Sequence, residues 1–131
     1  MNSYAWVGLG GALGSIARYF VAAVFARLAG ESFPWGTLLV NITGSLTIGL
    51  LATMMAPEGR LVVAPDVRRF LLAGVCGGYT TFSAFSLQTL DLILGGDVAG
   101  AAGNVIASVG ACLLAVWAGA SLGQALNHLP G

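Results

Sequence analysis

Two stretches of this chain place polar groups where a hydrophobic sequence has little other use for them. The first reads Gly74-Val75-Cys76-Gly77-Gly78-Tyr79-Thr80-Thr81-Phe82-Ser83-Ala84-Phe85-Ser86. Adjacent glycines followed by two β-branched threonines are poor helix formers, each glycine costing about 1 kcal/mol against alanine. The reading is a helix interrupted over 77–80, which frees carbonyls for a cation and amides for an anion. A continuous glycine-packed helix, its Ser and Thr side chains bonded back to preceding carbonyls, fits the same residues. Phe82 and Phe85 stand three apart and share a helical face with Ser86. Rings turned edge-on offer positive character to an anion without a full charge that would trap it. The same spacing also suits lipid-facing or core filler.

The second stretch, 35–45, carries Asn41 about two turns into an apolar run. Its amide has two N–H donors for an anion, or one hydrogen bond to a neighbouring helix, worth about 0.6 kcal/mol in membrane proteins. Asn104 and Ser108 lie four apart on one helical face and allow the same two readings. Arg18 is the single charge well inside an apolar window, and desolvating it costs at least about 2.5 kcal/mol. It either stands in a water-filled vestibule that draws anions inward or snorkels to an interface. Asp91 reads as a solvated end residue.

Other chemistries lack their ingredients. The one histidine, His128, sits in the tail, so there is no base for a serine nucleophile and no zinc-type cluster. No acid lies deep in an apolar window, where a proton-coupled exporter needs one.

The elements that must position these residues follow from composition. Of 131 residues 57% are apolar and 8% charged, against about 25% charged in soluble domains. Five arginines balance five acids and lysine is absent, so the chain has no cationic face to displace counterions from nucleic acid. With a mean hydropathy of +0.90, lipid is the expected solvent. Four windows, 4–26, 35–55, 70–90 and 98–126, each supply the roughly 20 apolar residues a bilayer span takes. The run from Tyr4 reads as a retained span, having no basic leader before it. Cys76 and Cys112 lie within apolar runs and read as small buried packing.

Four spans put both chain ends on one side. Arg60, Arg68 and Arg69 in the 56–69 link then face Arg27 alone on the other, a charge bias that permits either orientation. Four helices enclose no wide pore, so an oligomer is expected. Gly10 with Gly14, Gly74 with Gly78, and Gly119 with Gly123 offer close-approach faces, either between subunits or within one.

With these motifs in view, the chain resembles the Fluc (CrcB) family of small fluoride channels over nearly its whole length. The likeness rests on Gly10-Gly11-Ala12-Leu13-Gly14 followed by Arg18-Tyr19, on Gly36-Thr37-Leu38 with Asn41 and Gly44, and on Ser108 and Gly123. The string from Gly77 to Phe85 is the most specific part. The resemblance implies an all-α membrane protein of four transmembrane helices, the third broken near mid-membrane, assembled as an antiparallel dual-topology homodimer with two fluoride pores along its interface. It implies that carbonyls of Gly77 and Thr80 from both subunits hold one structural sodium ion. By the same likeness Phe82 and Phe85 are pore phenylalanines, Asn41 a pore asparagine and Ser108 a pore serine. Thr81, Ser83 and Ser86 belong to a polar strip beside the path, and Arg18 stands near a vestibule. The chain departs from the family pattern at Gln88, where many relatives carry glutamate, and at Ala84, where Thr or Ser is common. Both changes bear on the far end of that strip.

The expectation is therefore one domain over 1–131, multi-pass in a cell inner or plasma membrane. It is not an enzyme, has no nucleic-acid partner, and lets cytosolic fluoride leave passively down its electrochemical gradient. The alternatives are a small proton-coupled multidrug exporter and a noncatalytic subunit of a larger membrane complex.

Overall fold

The computed structural model describes residues 2–130. Helix α1 covers Ser3–Ala29 and α2 covers Trp35–Met54. The third span is composite. It opens with α3, Pro65–Arg69, continues as a π-helical segment, Phe70–Cys76, and a short α4, Gly77–Tyr79, and resumes after Thr80 and Thr81 as α5, Phe82–Leu94. Helix α6, Val98–Asn127, completes the fold, and the described residues contain no strand. All four helical stretches are long and apolar enough to cross a membrane. At 1.5 Å per residue even α2, the shortest at 20 residues, reaches about 30 Å, the thickness of a hydrocarbon core.

Local sequence explains where the helices begin and turn. Asn2 accepts a hydrogen bond from the Ala5 amide at 3.0 Å, and Asp97 accepts one from the Gly100 amide at 2.8 Å, so both long outer helices start on a side-chain cap. Pro65 sits in the first turn of α3, where its missing N–H costs nothing, and the third span starts five residues before the expected window. Gly30 and Gly96 take φ values of +79° and +87° at the two tight links on one side of the molecule.

The third span departs from the sequence expectation in detail. Gly77 and Gly78 are helical, Gly77 with φ −65° and ψ −37°. The extended residues are Thr80 (φ −82°, ψ 156°) and Thr81 (φ −152°, ψ 117°). β-Branched side chains favour that conformation, and a neighbouring helix meets the exposed backbone there, as described below. The π-helical segment was not legible in the sequence. It lies where the third span presses on α1, with Trp6 meeting Phe70 edge-on at 5.9 Å between ring centres.

Packing divides the chain into two tight pairs, α1 against the first half of the third span and α2 against α6, with α5 resting on α6. The glycine faces serve these pairs. A Cβ on Gly14 would run into the Val75 carbonyl and lie 2.7 Å from the Tyr79 amide, and one on Gly119 would run into the Leu46 carbonyl. The small-residue stripes are thus occupied within one chain.

Both chain ends and the 56–69 link share one side. Ser3 donates to Asp66, which also pairs with Arg69 at 2.9 Å, and the Arg60 guanidinium donates to the Leu126 carbonyl at 3.1 Å. The chain exposes 7885 Å², against about 6,400 Å² for a soluble globular monomer of this mass. Much of the exposed area is apolar and includes Leu9, Leu13, Ile16 and Phe20 of α1 and Phe82 of α5. Such a surface suits lipid or another apolar partner.

Candidate functional site

The polar residues singled out above converge on the two threonines that divide the third span. Ending a helix at Tyr79 and starting another at Phe82 leaves backbone groups without helical partners, and lipid cannot satisfy them. The chain supplies partners from two neighbours. Asn41, on α2, donates from Nδ2 to the Thr81 carbonyl at 3.0 Å and accepts from the Thr81 amide at 2.8 Å. Arg18, on α1, donates from Nε to the Gly78 carbonyl at 3.2 Å, and the Ser15 hydroxyl reaches the same oxygen at 3.4 Å. Thr80 closes on its own turn, both its amide and its hydroxyl donating to the Cys76 carbonyl at 3.0 Å.

Other carbonyls at the gap stay open. Among the described residues no side chain donates to the oxygens of Gly77, Tyr79 or Thr80. They lie at the C-terminal, electronegative end of a helix, which favours a cation. At the other side of the gap, α5 presents its N-terminal, electropositive end. Thr81 caps it by accepting from the Ala84 amide at 3.1 Å, and the amides of Phe82 and Ser83 precede the first internal helical bonds.

Beside this gap runs a groove of about 370 Å³, lined by Asn41, Thr80, Thr81, Phe82, Phe85 and Ser108 among others. Six of the residues named from the sequence thus meet in one place, although they come from three separate spans. Phe82 and Phe85 touch at 5.2 Å between ring centres with a 50° tilt. Their environments differ, since Phe85 is 8% exposed and Phe82 77% exposed in the single chain. Ser45 and Cys112 also line the groove; Cys112, read from the sequence as small buried packing, is half-buried there.

The remaining candidates fall around it. Ser83 shares a hydrogen bond with Thr81 at 3.2 Å but does not line the groove. Ser86 donates to the Phe82 carbonyl one turn back at 2.9 Å and faces outward. Asn104 is buried and bonds both Ser108 and Thr89, a residue that sequence reasoning missed. Thr89 stands four residues after Phe85 on the same helical face, a spacing that would have pointed to it. Tyr79, likewise missed, meets Thr43 through its hydroxyl at 3.0 Å.

A second hollow, about 790 Å³, opens at the side bearing the 30–34 and 95–97 links, with Arg27, Glu31, Gln88, Asp91 and Asp97 among its lining residues. Arg18 does not line this hollow, because its guanidinium is engaged at Gly78. Gln88 lines it, and its buried Oε1 finds no partner within the chain.

Fold and groove together define a small polytopic membrane protein in which a polar, aromatic-lined groove is built where two non-helical threonines divide one span. Residues 5–120 match the family described as "CrcB-like protein, Camphor Resistance (CrcB)". This chain belongs to that family. It is 51% identical over 131 residues to a protein of Opitutus terrae named "Fluoride-specific ion channel FluC", covering 100% of this chain and 99% of the relative. A protein of the same name from Rhodospirillum rubrum is 53% identical over 117 residues, covering 89% of this chain and 91% of its own. "Fluoride-specific ion channel FluC 1" of Nitrobacter hamburgensis is 57% identical over 103 residues, covering 79% and 80%.

Proposed function

We propose that this chain is a passive fluoride channel that lets cytosolic fluoride leave down its electrochemical gradient. The observation that carries the reading is the groove at Thr80 and Thr81, where an amide, a hydroxyl and two phenyl rings meet the electropositive end of α5. Relatives at about half identity over most of their length carry the name of a fluoride channel. Fluoride is small and a strong hydrogen-bond acceptor. Its hydration must be replaced by donors placed at several weak sites, so that the ion both enters and leaves. Asn41 retains one N–H beyond the one given to Thr81, and the polarised edges of Phe82 and Phe85 continue the lining. Thr81, Ser83 and Ser86 extend the polar strip, and Arg18 adds a fixed positive charge behind the gap.

The functional unit in this reading is an antiparallel, dual-topology homodimer in a cell inner or plasma membrane. Phe82 is a large apolar side chain left exposed beside the polar groove, and a second copy of the chain would cover it. The third span is broken near mid-membrane, and the open carbonyls of Gly77 and Thr80, paired with those of the second copy, hold one structural sodium ion. The donor set suits a hard monovalent cation: neutral oxygens at a helix C-terminus, with no cluster of His, Cys, Asp or Glu among the described residues. The ion would hold the two gaps together and keep the centre electropositive for an anion.

The testing experiment is fluoride efflux from proteoliposomes containing the purified protein alone, with chloride run in the same preparation. Rapid fluoride efflux with chloride retained is the expected result. Retention of both ions overturns the reading, and efflux that depends on a proton gradient favours an exporter.

A further inference from the structure

Beside the groove, a chain of hydrogen bonds runs from Ser108 through buried Asn104 and half-buried Thr89 to a main-chain oxygen, and its direction is set at one end. The Thr89 hydroxyl donates to the Phe85 carbonyl at 2.7 Å, a contact in which only Thr89 can be the donor. With its one proton used there, Thr89 can only accept from Asn104, and the Asn104 amide nitrogen stands 2.9 Å from it. That fixes the amide with Oδ1 toward Ser108, whose hydroxyl must donate, at 3.2 Å. Asn104 is 1% exposed and Ser108 7% exposed, so water has little access to the bond between them.

We infer that Asn104 is a positioning residue that, with Thr89 behind it, holds the Ser108 proton away from the groove. This rests on the fluoride-channel reading above. In the resting arrangement Ser108 turns lone pairs, not its proton, toward the space it shares with Asn41 and Phe85. An arriving anion must take the Ser108 proton from Asn104 and leave a buried carbonyl oxygen without a donor. The relay therefore weakens the groove's hold on the anion, which a conducting site requires. It also ties that hold to Phe85, because the far end of the relay is the Phe85 carbonyl.

The test is the concentration dependence of fluoride efflux from proteoliposomes for the wild type, four variants and a Ser108→Ala control. Asn104→Leu removes the acceptor at similar volume. Thr89→Val frees the amide to turn its nitrogen toward Ser108. Each releases the Ser108 proton to the groove, so the half-saturating fluoride concentration is expected to fall about tenfold, the worth of one hydrogen bond to an ion. Thr89→Ser keeps the hydroxyl and is expected to restore the wild-type value. The fourth variant places Ser108→Ala beneath Thr89→Val, measured against Ser108→Ala alone, and the shift should vanish. A half-saturation within twofold of wild type for Thr89→Val, or an equal shift with Ser108 absent, overturns the inference, and this arm decides alone if Asn104→Leu does not fold. Wild-type protein that passes no fluoride overturns the channel reading and takes this inference with it. Wild-type conduction with unmoved variants overturns the inference only.

Discussion

Across 40 residues of sequence, Asn41 donates from Nδ2 to the Thr81 carbonyl at 3.0 Å and accepts at Oδ1 from the Thr81 amide at 2.8 Å. The side chain of one span thus stands in for the helical partners that the extended backbone of another has lost. One of the two Asn41 N–H donors is spent in doing so, which leaves one for an ion in the groove.

Asn41→Asp keeps the shape but loses the donor to Thr81 and adds a negative charge to the groove. Fluoride efflux is expected to fall at least tenfold, and stability by about 1–3 kcal/mol for the carbonyl left unpaired. Efflux assays and thermal unfolding in detergent measure the two effects separately. Unchanged flux would sink the assignment of Asn41 to an anion path.

Phe82 and Phe85 should separate flux from stability. Either residue replaced by isoleucine is expected to suppress fluoride efflux. Phe85→Ile also opens space in a buried site and should lower stability by about 1–3 kcal/mol. Phe82→Ile, exposed in the single chain, should leave the folding of that chain within about 0.5 kcal/mol. Paired efflux and melting measurements on both variants decide the point.

The sodium ion proposed at the carbonyls of Gly77 and Thr80 would make stability depend on sodium. Protein purified with sodium replaced by a bulky organic cation is expected to melt at a lower temperature, and titrating sodium back should restore the midpoint with saturation. A midpoint indifferent to sodium removes the cation from the proposed structure.

Gly14→Ala places a methyl group against the Val75 carbonyl, where backbone on both sides leaves no room to shift. The yield of monodisperse protein on size exclusion is expected to collapse. Gly8→Ala, with open space around the new methyl in the single chain, is expected to fold as the wild type does. Equal yields from the two variants would show that the α1 contact with the third span is looser than described.

Composition and residue order alone determined the lipid environment, the four spans and their shared side for both ends, and the polar residues that had to be explained inside them. Hydropathy and helical spacing are local properties, so Asn41, Thr81, Phe82, Phe85 and Ser108 could be picked out one span at a time. Tertiary structure decided how they are used. The departure from helix falls at Thr80 and Thr81, where Asn41 takes the Thr81 backbone, while Gly77 and Gly78 stay helical and Gly78 packs on Gly11 of α1. Arg18 serves the Gly78 carbonyl and not the hollow at the molecule's end, and Thr89, whose spacing from Phe85 marks only a shared face, bonds Asn104 across to α6. A hydrogen bond requires two groups within about 3 Å at a suitable angle. Groups 40 or 60 residues apart meet that condition only once the chain has packed.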